Sequence, residues 1–226
     1  MPGLPDTSPE RPVPRGRHAP PLEVRLSVQR RRLFMAAAEV FARMGYAEAS
    51  AEAISREAGM SKATFYEHFA NKEEAILALF DEAATEVMRA MAVGAGDREK
   101  ATSYEAWVRN GLRAFMDQLA EYPQSAQTLL VEIIGAGPRA TERRDAILET
   151  FAEAMHRDNA IMAPRFGAPL FASREDAFTV VGGIVEVASR QLRRGEPADP
   201  RAIEPTLQRL YFGVLQQARA EGLGGV

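Results

Sequence analysis

The stretch SAEAISREAGMSKATFYEHFANK, residues 50–72, decides the fold. Ser50 is a good N-cap for a short helix over residues 51–58, because its hydroxyl can accept a first-turn N–H that has no helical partner. Gly59 ends that helix, since glycine takes a positive φ without strain. Ser61 caps a second short helix running to about Phe69. Two short helices meeting at Ala58-Gly59-Met60-Ser61 have the layout of a helix-turn-helix. Ile54, Ala58 and Phe65 supply a small core, and Met60 plugs the gap between the helices. Lys62, Thr64, Tyr66 and His68 make a polar outer face on the second helix, suited to entering a DNA major groove. Asn71 caps the next helix, which begins Lys72-Glu73-Glu74 and runs through Ile76, Leu77 and Phe80 toward Met91.

Upstream, Leu33, Phe34, Ala37, Ala38 and Phe41 recur at the spacing of one helical face. Gly45 is placed to stop that helix. Further back, Pro2, Pro5, Pro9, Pro12, Pro14, Pro20 and Pro21 forbid a helix, so residues 1–22 are expected to be a disordered basic tail. Residues 1–32 hold seven Arg against three acids, a net of +4; the chain's total of −3 leaves −7 for the remainder. Positive charge gathered at one end suits an anionic partner there.

Downstream, the pattern is helical throughout. Residues 104–121 carry Val108, Leu112, Phe115, Met116 and Leu119 on one face, and Pro123 breaks that helix. Residues 126–134 are nearly all apolar, which predicts a short helix buried on every side. Gly135 to Pro138 breaks the chain again. A helix to about Met162 points Ile147, Leu148, Phe151 and Met155 inward, and residues 164–169 are a loop. Two last helices span about 173–194 and 200–220. Their stripes, Phe178, Val181, Val185 and Leu192 on one and Ile203, Leu207, Leu210, Tyr211 and Val214 on the other, predict a dimer interface closing as a four-helix bundle, with part of each stripe facing the chain's own core. Gly182-Gly183 would allow close backbone approach. No segment alternates like a strand, so the fold class is all-α.

Several chemistries are set aside. The chain has no cysteine, and its three histidines, His18, His68 and His156, lack metal-ligand spacing. Gly94-Ala95-Gly96 and Gly135-Ala136-Gly137 have no preceding strand and no Gly-Lys-Ser ending, so they are joints rather than phosphate cradles. No metal and no cofactor is expected, and no catalytic residues. No run is long or apolar enough for a signal peptide or a membrane span, which points to the cytoplasm. An all-α enzyme or small-molecule carrier without DNA binding is the alternative reading.

The run from Gly59 to Glu74, with Phe41-Ala42-Arg43-Met44-Gly45-Tyr46 before it, resembles the signature of the TetR family of bacterial transcriptional regulators, over about residues 30–80. The resemblance implies a three-helix DNA-binding domain at residues 23–72. It implies a larger ligand-binding and dimerisation domain at 73–226, entered through a connecting helix at 72–91. It also implies a homodimer on a palindromic operator, and a repressor released by a small hydrophobic effector. Lys62 and Ala63 match positions that read base edges; a lysine can donate to guanine and a methyl can touch thymine. Ser50, Ser61, Thr64, Tyr66 and His68 match the rest of the DNA-contacting set, largely phosphate contacts. Lys72 matches a phosphate-holding lysine at a helix start. Glu52 departs from the pattern, standing where some members carry a base-contacting arginine. The effector pocket implied by the family would be lined by Trp107, Phe115, Met116, Leu119, Leu129, Glu132, Phe151, Met155 and Phe178. Glu132 is the polar group in the most apolar segment, where a carboxylate needs a partner or a wet cavity: an effector, an arginine such as Arg113, or exposure at the edge of the bundle.

Overall fold

The computed structural model describes residues 22–222, so the expected tail, apart from Leu22, lies outside the described residues. All regular elements among the described residues are helices. Three form a head: α1 (Leu22–Glu48), α2 (Ala51–Glu57) and α3 (Lys62–His68). Each cap is local chemistry. Ser50 Oγ accepts the Ala53 N–H, Ser61 Oγ that of Thr64, and Asn71 Oδ1 that of Glu74 at the start of α4. Leu33, Phe41, Ile54 and Phe65 are fully buried at the centre of the head. Burying each such side chain stabilises the fold by roughly 1.5–3 kcal/mol.

Gly59 takes φ +63° in the turn, and a Cβ there would stand 3.4 Å from Arg32 Nη2. That nitrogen donates to the Ala58 carbonyl at 2.9 Å and closes the end of α2. Gly45 behaves differently from the expected helix stop. With φ 78° and ψ 160° it bends α1 rather than ending it, and the helix resumes to Glu48.

The body comprises α4 (Lys72–Ala95), α5 (Tyr104–Glu121), α6 (Pro123–Leu130), α7 (Pro138–Met162), α8 (Arg174–Arg194) and α9 (Glu204–Ala220). Helix α4 starts beneath the head and packs along α5. Gly94 permits the approach, since a Cβ there would overlap the Cβ of Ala114. Pro123 opens α6 at its first position, where a missing N–H costs nothing.

Residues 126–134 do not form one buried helix. α6 ends at Leu130, Val131 adopts φ −123° and ψ −60°, and Glu132–Gly135 is a 3₁₀ turn. The break rotates the apolar face, so Ile134 emerges 51% exposed while Ile133 stays buried.

Three residues expected at a dimer interface belong instead to the chain's own core: Val181, Leu207 and Tyr211 are buried within it. They have no surface left to give a partner. The Tyr211 hydroxyl shares a 2.8 Å hydrogen bond with that of Tyr104. Asn159 donates to Tyr104 Oη at 2.7 Å and accepts the Phe171 N–H at 2.9 Å. This buried polar cluster ties α5, α7 and α9 together. Burial raises both tyrosine pKa values, although the hydrogen bonds to Tyr211 and Asn159 draw that of Tyr104 back down. Gly183 likewise serves the chain itself, seating Leu210 of α9; Gly182 faces open space. Phe178, Val185, Leu192, Ile203, Leu210 and Val214 retain exposed surface.

Candidate nucleic-acid interface and internal cavity

Helix α3 buries Phe65 and turns Lys62, Ala63 and Tyr66 outward. Lys62 Nζ stands 6.0 Å over the Tyr66 ring, so a cation and a phenol share one exposed patch. Ser61 Oγ and Thr64 Oγ1 are 3.0 Å apart at the start of the same helix, and Ser50 sits at the matching end of α2. Hydroxyls, a cation and helix N-termini on one surface make a donor-rich face, which is what phosphates and base edges accept. Glu52, the acid among these groups, forms an ion pair with Arg56 at 2.9 Å one turn along.

Lys72 departs from the role expected of it. Its Nζ donates to the carbonyls of Tyr46, Ala47 and Ala49 at 2.9, 2.9 and 3.0 Å. An ammonium has three donors, and all three are spent on the C-terminal end of α1, where the helix dipole favours a cation. None is left for a phosphate. His68 is also partly withdrawn: its Nε2 is buried without a hydrogen-bond partner, leaving only Nδ1. Burial, then the charge of Arg30, lower its pKa. The ring is therefore held neutral and brings no charge to DNA. Arg30 itself lies over the rings of Phe34 and Phe69, at 4.9 and 5.3 Å.

Within the body, α4, α5, α6, α7 and α8 line a partly open cavity of about 60 Å³ with an almost wholly apolar wall. Phe115, Leu129, Phe151 and Met155 line it, whereas Trp107, Met116, Leu119, Phe178 and Glu132 do not. Met116 and Leu119 pack into the core, and Phe178 points outward. The remaining wall comes from Phe80, Val87, Met91, Leu112, Leu130, Arg144, Ile147, Leu148, Val181, Ile184 and Val185. Arg144 is the only charged side chain in it. Its one ion pair among the described residues is a 3.6 Å contact with the adjacent Asp145. Sequence reasoning missed Arg144, although it lies one turn before Ile147 and Leu148, on the face they share with Phe151 and Met155.

Glu132 is engaged elsewhere, which corrects its assignment to the pocket. Its Oε2 accepts the backbone N–H of Tyr46 at 2.9 Å, and its Oε1 accepts from Gln127 Nε2 at 3.1 Å. The carboxylate thus meets its need for partners at the junction of head and body. Arg113, the partner considered for it, contacts Glu204 instead.

Residues 33–79 match the family described as "Bacterial regulatory proteins, tetR family". The chain is 26% identical over 195 residues to the HTH-type transcriptional activator FasR of Mycolicibacterium smegmatis, covering 82% of this chain and 83% of that protein. Among solved structures it resembles the fatty acid degradation regulator FadR of Bacillus halodurans. That match has a TM-score of 0.71 and 20% identity, covering 83% of this chain and 96% of the other. It also resembles FadR of Bacillus subtilis in complex with stearoyl-CoA, with a TM-score of 0.68 and 19% identity, covering 81% and 98%.

Proposed function

We propose, from the premise that this chain belongs to the TetR family of bacterial regulators, the particular way in which it works as a ligand-responsive DNA-binding regulator. The head, residues 23–72, reads DNA through α3. The body, residues 73–226, dimerises and senses the effector. Two copies pair through the outward parts of α8 and α9, around Phe178, Gly182, Leu210 and Val214, and sit on a palindromic operator in the cytoplasm. The two reading helices then lie about 34–36 Å apart, one turn of DNA.

The observation that carries the effector reading is the cavity: a partly open apolar site lined by five helices, with Arg144 the one charged residue among its walls. An apolar wall selects an apolar ligand body; Arg144 gives that wall its aliphatic stem, and its guanidinium, with one weak ion pair, would meet an anionic group only as the walls move apart. The effector we propose is therefore an amphiphile with a long apolar chain and an anionic head. A cavity of about 60 Å³ is far below the roughly 300–1,000 Å³ of ligand sites. Binding must push the walls apart, and a ligand that fits only the widened state shifts the population away from the DNA-competent one. Release from an operator makes the protein a repressor. The name of the M. smegmatis relative favours a second output, activation from the bound state.

The test is fluorescence anisotropy on a palindromic duplex selected from a random pool, titrated with stearoyl-CoA, stearyl alcohol and an octadecyl ammonium salt. Release by the anionic probe ahead of the other two supports the reading. Equal potency of all three sinks the role given to Arg144. A reporter placed behind the selected site then distinguishes repression from activation.

A further inference from the structure

The backbone of Tyr46 is gripped on both sides. Its N–H donates to Glu132 Oε2 at 2.9 Å, and its carbonyl accepts from Lys72 Nζ at 2.9 Å. The two grips come from different walls of the cavity. Glu132 follows α6, whose Leu129 and Leu130 line the cavity, and Lys72 begins α4, whose Phe80, Val87 and Met91 also line it. Tyr46 directly follows Gly45, where φ 78° interrupts α1, and lies four residues before Ser50, the cap of α2. Beside the packing of α1 on α6 and α4, the backbone of one residue at the entrance to the helix-turn-helix is thus held from both elements.

We infer that Glu132 is the positioning residue that couples the cavity to the reading head. Its carboxylate fixes the bend of α1, and hence the angle of α3, while α6 keeps its place; displacement of α6 by an occupant withdraws it. The coupling rests on the reading of the cavity as the effector site, but the tether itself does not. The geometry suits a switch better than a general brace. Glu132 sits just past the break at Val131, in a four-residue 3₁₀ turn, so a small rotation of α6 swings the carboxylate. A hydrogen bond tolerates little such movement before it is lost. Gln127, one turn back on α6, holds the other carboxylate oxygen and makes Glu132 follow that helix.

The experiment uses the full chain, with Glu132→Ala and Glu132→Gln, on duplexes whose half-sites are moved together or apart by one base pair. A fixed head angle gives wild type a sharp optimum, about tenfold in affinity over its neighbours. Glu132→Ala is expected to flatten that optimum to about threefold or less. Glu132→Gln keeps an acceptor for the Tyr46 N–H and should restore it. A purely structural bond would lower affinity at every spacing alike and leave the optimum sharp, which overturns the proposal. In a second arm, stearoyl-CoA is added to the preformed complexes. Wild type should release DNA, while Glu132→Ala should bind the probe by calorimetry and respond weakly. Equal release concentrations for the two proteins also overturn it. If wild type takes up no stearoyl-CoA, the effector reading fails, and the spacing profile still decides the tether. If no duplex is bound, amide exchange decides: faster exchange at Tyr46 through Ser50 in Glu132→Ala alone supports the tether, and unchanged exchange ends it.

Discussion

Lys72 and Tyr66 both match phosphate-contacting positions, but the structure places them differently. The Lys72 ammonium is saturated by three carbonyls, whereas the Tyr66 side chain is half exposed beside Lys62. Tyr66→Phe is expected to remove a neutral phosphate contact, weakening binding to all sequences with the salt slope unchanged, because a phenol displaces no counterion. Lys72→Ala should weaken binding by loosening the α1–α2 junction, with the slope unchanged. Anisotropy across a salt titration checks both; a slope lowered by roughly 0.9 for Lys72→Ala would return that lysine to the phosphates. Lys62→Ala should instead relax preference at one or two base positions, by about 1–3 kcal/mol each. His68 gives a pH signature. Burial lowers its pKa below 6.5, so the folded form prefers the neutral ring. Its contribution is complete above pH 6.5 and is lost as pH falls toward the folded-state value, because the unfolded chain takes up the proton first. Melting temperatures at pH 8 and 5.5 should therefore fall further for wild type than for His68→Gln. Equal falls would mean that the ring is solvated. Residue identity was legible wherever a role is local. Ser50, Ser61 and Asn71 cap as their types predict, while the partners of Lys72 and Glu132 are 23–26 and 86 residues away, beyond any local rule.

Among elements, the α4–α5 pair and the α6 break matter most. Gly94 leaves no room for a side chain against Ala114, whose Cβ is fixed to the backbone of α5. Glycine to alanine within a helix gains about 1 kcal/mol of propensity. Here an overpacking cost of typically 1–3 kcal/mol opposes that gain. Gly94→Ala is expected to lower the melting temperature by a few degrees, at about 2–4 °C per kcal/mol for a chain of this size. A rise would show that α4 and α5 part freely at that end. Helix boundaries were largely readable because caps, prolines and glycines act within a turn of themselves. The run at 126–134 misled because uniform apolarity carries no phase: it does not show where a helix breaks or which part then faces water.

For the whole molecule, Phe178 is the most exposed apolar residue of α8, at 37%, with Gly182 open beside it one turn on. Phe178→Arg should convert the dimer to a folded monomer in light scattering and reduce operator affinity strongly, since each half-site then binds alone. A variant that remains dimeric places the interface elsewhere. The sequence by itself determined the all-α class, the helix-turn-helix and its outward face, because caps, a glycine turn and helical periodicity are short-range physics. It also marked the stripes on α8 and α9 as apolar. Only the tertiary structure decided what those stripes meet: Val181, Leu207 and Tyr211 face the chain's own core, while Phe178 faces outward. It likewise set the one charge of the cavity as Arg144 rather than Glu132. An amphipathic face records that a side is buried, not against which neighbour. That is settled by contacts between segments far apart in the chain, such as Glu132 on Tyr46, 86 residues away.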